Sequence, residues 1–273
     1  MRLSIRHRTR YTFVEPVVHA LQRLRMMPKA TQGQAVLSWN MEYENARQEL
    51  MYEDQHCNAV TLISVQQGAR DVIVNCSGVI DTWDQAGVIG HHSGHLPLWS
   101  FLAQTPLTRP GAKVRTLLRD IECKPDAKLD FLHALSQRIR DEVEYRTGST
   151  GVTTTAEEAA GAGCGVCQDH AQIFIGAARL HDIPARYVSG YLMMNDRIDQ
   201  EATHAWAEAH VDGLGWVGFD ISNGISPDAR YVRVATGRDY RDAAPVTGVS
   251  FGVASEDLHV DVAVEQQQME QQQ

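Results

Sequence analysis

Long apolar runs are missing from this chain of 273 residues. None approaches the ~18 residues that suggest a membrane-crossing helix, so no membrane association is expected. Cationic charge is also short, with 25 Lys and Arg against 34 Asp and Glu and a net charge of -9. Phosphate binding needs clustered Lys and Arg to displace counterions, so a nucleic-acid partner is not expected either. Cysteine is sparse and odd in number, five in all, and Met1 to Phe13 alternates arginine with apolar residues where a secretion signal would carry an apolar block. The cysteines therefore read as thiols rather than as a disulfide framework, and the expected location is cytoplasmic.

What is present describes a globular protein. The chain is 43% apolar and 22% charged, and long enough for one large core or two smaller ones. Its first 110 residues hold ten basic against nine acidic side chains, so all the negative excess lies beyond them. That shift suggests two units. In the first, Leu3, Ile5, Tyr11 and Phe13 fall on one face of an alternating run, with Ser4, Arg6, Arg8, Arg10 and Thr12 on the other. Further β-like runs at 36–43, 59–65 and 71–80 complete an antiparallel β-sandwich-like domain over residues 1–105.

Between Gly87 and Lys113 the chain is rich in Gly, Pro and His and reads as a linker. Its Gly90-His91-His92-Ser93-Gly94-His95 carries metal-ligand side chains, but neither carboxylate nor cysteine stands beside them in sequence. It reads as a solvated loop, and no metal site is expected. A second domain over 106–265 changes period. Leu132, Leu135, Ile139 and Val143 recur at helical spacing, and a short helix follows around 156–160. Another helix opens near Cys167, three strands are expected at 185–193, 203–211 and 215–222, and the Gln-rich tail 266–273 is expected to be disordered.

The chemistry concentrates around Cys167. It sits at the start of a helix, where free N–H groups and the helix dipole stabilise a thiolate, behind glycines at 161, 163 and 165 that leave the approach open. A buried structural cysteine would look the same locally. Downstream, a hairpin with Val211 opposite Gly215 places His204 opposite Ser222 and Asp220 diagonally beside it, roughly 7–8 Å away between Cα atoms. The opposite face carries Ala205, Ala207, Ala209, Val217, Phe219 and Ile221, as a core-facing surface should. Thiol, imidazole and carboxylate together are the nucleophile, base and orienting group of acyl transfer.

Three segments carry a resemblance: Gly165-Val166-Cys167-Gln168-Asp169-His170-Ala171, Ile183-Pro184-Ala185-Arg186-Tyr187-Val188-Ser189-Gly190-Tyr191 and Thr203-His204-Ala205-Trp206-Ala207-Glu208. In this order they resemble the bacterial transglutaminase-like cysteine proteinase group of the transglutaminase superfamily. The likeness extends more weakly to Tyr11-Thr12-Phe13-Val14-Glu15-Pro16 and Leu24-Arg25-Met26-Met27-Pro28. It implies an α+β fold with a papain-like core, its nucleophile helix packed on an antiparallel sheet. It also implies Cys167 as nucleophile, His204 as base and acid, and Asp220 as the residue holding the imidazole. The expected enzyme is a cysteine protease or amidase acting on a peptide or protein amide, without metal or organic cofactor and with hydrolysis favoured over amine transfer. A homo-oligomer is left open.

Cys164 departs from that pattern and creates a Cys-x-x-Cys followed by His170. A redox pair or a zinc centre is therefore an alternative, as is a binding module of the same fold with an unused triad. Tyr145, Gln168 and Trp206 are candidates for touching the substrate or its oxyanion. Trp216 lines the groove or covers the sheet, and Glu208 is either an acceptor behind His204 or a surface salt bridge.

Overall fold

A computed structural model describes residues 1–195, 198–200, 202–251 and 256–267. Its first part is all β: β1 (Arg2–Phe13), β2 (His19–Leu24), β3 (Gln34–Glu44), β4 (Ala46–Glu53), β5 (Ala59–Val65), β6 (Asp71–Thr82) and β7 (Val88–Gly90). A 3-10 turn over Leu98–Phe101 leads to α1 (Ala112–Leu117), α2 (Lys128–Glu142), β8 (Glu144–Tyr145), α3 (Ala156–Ala162), β9 (Cys164–Gly165) and α4 (Cys167–Arg179). Then come β10 (Ala185–Leu192), β11 (Asp199–Gln200), β12 (His204–Val211), β13 (Gly215–Phe219), β14 (Tyr231–Gly237), α5 (Tyr240–Ala243), β15 (Val246–Phe251) and β16 (Glu256–Gln266).

Three antiparallel sheets stack. Their strand orders are β11-β16-β1-β6-β3, β15-β2-β5-β4 and β14-β10-β12-β13-β7, and a parallel pair β8-β9 stands apart. Along β1 burial alternates residue by residue, with Leu3, Ile5, Tyr11 and Phe13 inside and Arg6, Arg8 and Arg10 outside. One end of that inner face packs Tyr11 and Phe13 against Ala20, Leu24 and Ile63 of the second sheet. The other end packs Leu3 and Ile5 against Tyr191, Val232 and Val234 of the third. The third sheet turns its opposite face, Ala205, Ala207, Ala209, Val217 and Phe219, to the helices. It is thus buried on both sides, which is why β10 has no exposed residue.

His7 and Thr9 also lie on the inner face of β1. His7 Nδ1 meets the Tyr191 hydroxyl and its Nε2 meets Thr9 Oγ1, each at 2.8 Å. Burial pushes the His7 pKa down to about 4, because charging the ring there forfeits hydration.

The sheets do not part at residue 105, where composition places the domain boundary. Strand β7 pairs with β13 in the third sheet. At the other end of the chain, β15 returns to β2, and β16 pairs with β1 from Leu3↔Gln266 to Phe13↔Glu256. The physical reason is edge closure, since β1 and β2 would otherwise present unpaired N–H and C=O groups to water. Strand β16 runs through Gln266, one residue into the expected tail, and residues 268–273 lie outside those described. Among the described residues, no helix is long and apolar enough to cross a membrane.

Candidate active site

The nucleophile segment is built by a chain of caps. Thr155 accepts the Glu158 N–H at 3.2 Å to start α3, and α3 ends at Gly163 in the left-handed region at φ +65, a conformation that favours glycine. Cys164 and Gly165 then pair in parallel with Glu144 and Tyr145, and Cys167 is the first residue of α4. Asp169 holds that start in place. Its Oδ2 accepts the Val166 N–H at 2.8 Å and the Thr150 hydroxyl at 2.6 Å, while Oδ1 is buried with no hydrogen-bond partner among the described residues. Burial raises the Asp169 pKa against these bonds. A Cβ at Gly165 would stand 2.7 Å from the Asp169 Cβ, so this glycine makes room for the cap.

The hairpin forms in the expected register, from Val211↔Gly215 to Ala207↔Phe219. That register brings His204 Nε2 to 2.6 Å from Asp220 Oδ2. Asp220 is fully buried and accepts from the Tyr231 hydroxyl at 2.7 Å, Asn223 Nδ2 at 2.7 Å and the Asn223 N–H at 3.2 Å. Burial works to raise its pKa, but these donors and His204 outweigh it and hold the carboxyl below its ordinary range. The Cys167 side chain shares the cleft with His204 and interacts electrostatically with its imidazole. Burial opposes charge on this ring, yet the Cys167 charge and the bond to Asp220 push its pKa up to about 10.

Cys167 and His204 open into a cleft of about 710 Å³ between the third sheet and strands β1 and β16. Tyr11, Tyr145, Tyr187 and Tyr240 line it, with Leu258 and Val260 from the far wall. The structure thus brings Cys167, His204 and Asp220 into one series, thiol to imidazole to carboxylate. Tyr145 and Gln168 are also at the cleft, with the Gln168 amide 3.5 Å from the Gly151 carbonyl.

Other expectations need correction. Trp206 does not face the cleft: it is buried among Val188, Leu192 and Tyr231, because sheet packing covers that side of β12. Trp216 is likewise buried, with the Arg186 guanidinium 3.9 Å above its ring. Glu208 is neither behind His204 nor at the surface. It is fully buried and ion-paired with Arg186 at 2.6 Å and Arg233 at 2.7 Å. His170, which a zinc centre at Cys164 and Cys167 would need, has both ring nitrogens engaged, by Ser222 Oγ at 2.9 Å and the Val143 carbonyl at 3.0 Å. Sequence reasoning missed Asp169, Tyr231 and Asn223. An aspartate three residues inside a helix start is a capping signal that could have found the first.

Similarity to known proteins follows the same division of the chain. Residues 115–221 match the transglutaminase-like superfamily, and residues 3–81 match the bacterial transglutaminase-like N-terminal region. An uncharacterized protein of Mycobacterium leprae is 27% identical over 280 residues, covering 96% of this chain and 98% of its own. One of Mycobacterium tuberculosis is 28% identical over 291 residues, covering 97% and 92%. A solved structure of a candidate cysteine protease from Cytophaga hutchinsonii superposes with a TM-score of 0.75 at 22% identity, over 98% of this chain and 92% of that one. That likeness shows a shared fold. The chain belongs to the transglutaminase-like superfamily, its α+β core joined to a bacterial transglutaminase-like N-terminal region.

Proposed function

We propose that the protein is a thiol-dependent acyl-transfer enzyme that opens amide bonds of peptides or proteins through a thioester on Cys167. The observation that carries this reading is the buried His204, oriented by Asp220 at 2.6 Å and sharing with Cys167 the mouth of a cleft. Cys167 passes its thiol proton to this ring as it reacts. Cys167 Sγ attacks the amide carbonyl, and the carbonyl oxygen gains negative charge. The Cys167 backbone N–H, one of the donors a helix start leaves without an intrahelical partner, stabilises that oxygen. The Tyr145 hydroxyl is the second donor in this reading, ahead of Gln168, whose amide is turned toward Gly151. His204 then protonates the departing amine, leaving the thioester.

Water resolves the thioester. His204 takes its proton, and the acid product leaves with the Cys167 thiolate restored. Hydrolysis is favoured because transfer to an amine would require a site that binds the amine and excludes far more abundant water. Every step is carried by side chains and backbone of this chain, without metal or organic cofactor.

The test needs no known substrate. Alkylation by iodoacetamide across a pH series, read at each cysteine by peptide mass spectrometry, should show Cys167 reacting fastest near pH 6, with that advantage lost in His204→Ala. An inert Cys167, or one indifferent to His204, would overturn the acyl-transfer reading and favour a binding module of the same fold.

A further inference from the structure

The histidine-rich loop after β7 has no part in the reaction above, yet the fold gives it partners that its sequence neighbours do not. Residues some forty positions earlier, at the turn between β4 and β5, come up beside it. Glu53, Cys57 and His95 each present one ligand atom, and these atoms all lie within 4.8 Å of one another. His95 Nε2 is 3.2 Å from Glu53 Oε1. With zinc-to-ligand bonds of about 2.0–2.3 Å, neighbouring corners of a tetrahedron lie roughly 3.3–3.6 Å apart, so two donors already stand at that spacing and the third needs only a small approach.

The cysteine is presented rather than merely nearby. Cys57 has a left-handed backbone, φ +56, which a non-glycine residue adopts only where its surroundings impose it. Those surroundings are explicit. Asp54 Oδ1 accepts the N–H of His56 at 2.9 Å and of Asn58 at 3.0 Å, and Asp54 is itself fixed by Arg25 at 3.0 Å. Lys29 Nζ donates to the carbonyls of His56 and Cys57, both at 2.8 Å. On the loop side, a Cβ at Gly94 would come within 3.2 Å of Cys57 Sγ, so the absence of a side chain lets the loop close over the sulfur.

We propose that Glu53, Cys57 and His95 form a binding site for zinc or another thiophilic divalent cation, with water completing the coordination. A carboxylate and a thiolate neutralise the ion's two charges, and a neutral imidazole adds the third bond. Of the cations nearby, Lys29 is committed to the His56 and Cys57 carbonyls at 2.8 Å each and Arg186 to Glu208 at 2.6 Å. Both Glu53 and His95 are solvent-exposed, with side chains 58% and 73% accessible, so the ion exchanges freely with the medium. Its effect is mechanical. It pins the loop that leads out of β7, in the third sheet, to the end of β4, in the second.

The test is cobalt titration of the full-length Cys167→Ala protein, a background in which the proposed active site cannot supply a thiolate. One equivalent of Co²⁺ should raise a sulfur-to-cobalt charge-transfer band in the near ultraviolet, displaced by zinc. Cys57→Ser should abolish the band, His95→Ala should weaken binding at least about tenfold, and Glu53→Gln less so. His95 and Glu53 are surface residues, so their variants keep the experiment decisive if Cys57→Ser folds poorly. Absence of the band at saturating cobalt, or its survival in Cys57→Ser, overturns the site. Because the readout is binding in a catalytically disabled chain, the outcome is independent of the acyl-transfer proposal.

Discussion

His204 and Glu208 stand four residues apart on β12, turned to the same side of the sheet, and both are buried ionisable groups tied to charged partners. Their surroundings differ in one respect. Glu208 accepts from Arg186 Nε at 2.6 Å, Arg233 Nε at 2.7 Å and Arg233 Nη2 at 3.0 Å, and borders no part of the cleft. His204 is paired with the Asp220 carboxylate, packs its ring against Trp206 and Tyr231, and also lines the cleft beside Cys167. Burial and charge pairing are therefore common to a structural clamp and to the proposed active centre. What separates them is a partner that can leave and a space for a reactant to enter.

Removing the groups one at a time should pull these two regions apart. In Cys167→Ala and His204→Ala, turnover of an amide substrate should fall at least about 10⁴-fold, with the thermal midpoint of Cys167→Ala little changed. In Glu208→Ala the pattern should invert. Two buried guanidiniums lose their counter-charge, and urea denaturation should show a loss of about 3–5 kcal/mol while the folded fraction keeps its turnover. Tyr231→Phe tests whether Asp220 needs its hydroxyl donor. Hydrogen bonds to charged groups are worth about 1.5–3 kcal/mol, so turnover should drop roughly ten- to a hundredfold with KM nearly constant.

The pH dependence sharpens the contrast further. With the His204 pKa raised to about 10, the ring stays protonated through neutral pH, and kcat/KM should fall as pH rises through about 10. Its charge stabilises the fold most fully below the unfolded value near 6.5, and that contribution also fades toward pH 10. NMR titration should place the His204 midpoint lower in Cys167→Ala, since the Cys167 charge is gone. His7 has the opposite sign. Its pKa is lowered to about 4, so its contribution is complete above 6.5 and is lost as pH falls through 4, and His7→Gln should flatten that acid limb. The smallest effect is expected at Cys164, where replacement by serine should leave turnover within about twofold.

Local pattern carried the sequence reading furthest where one element determines its own face. The alternation of β1 identified its inner residues, and a three-residue loop predicted the hairpin register that joins His204 to Asp220. The same reasoning could not see that both faces of the third sheet are covered. Trp206 and Glu208 therefore looked like groove or surface residues when they are interior. Tyr231 reaches Asp220 only because β14 lies beside β10, a pairing between strands 39 to 50 residues apart that no local periodicity encodes. The Cys57 and His95 neighbourhood was hidden for the same reason, since neither segment mentions the other until the chain is folded.

The pairing of β16 with β1 has a consequence for the order in which the protein comes into being. Strand β1 can find β6 once residues 71–82 exist, whereas its other neighbour, β16, is made only after Cys167 and His204. Leu258 and Val260, which wall the cleft, arrive with that later strand. A chain still emerging from the ribosome can thus carry Cys167 and His204 with the cleft unwalled. Biosynthesis itself delays competence, holding the proposed nucleophile without a formed groove until β16 has met β1.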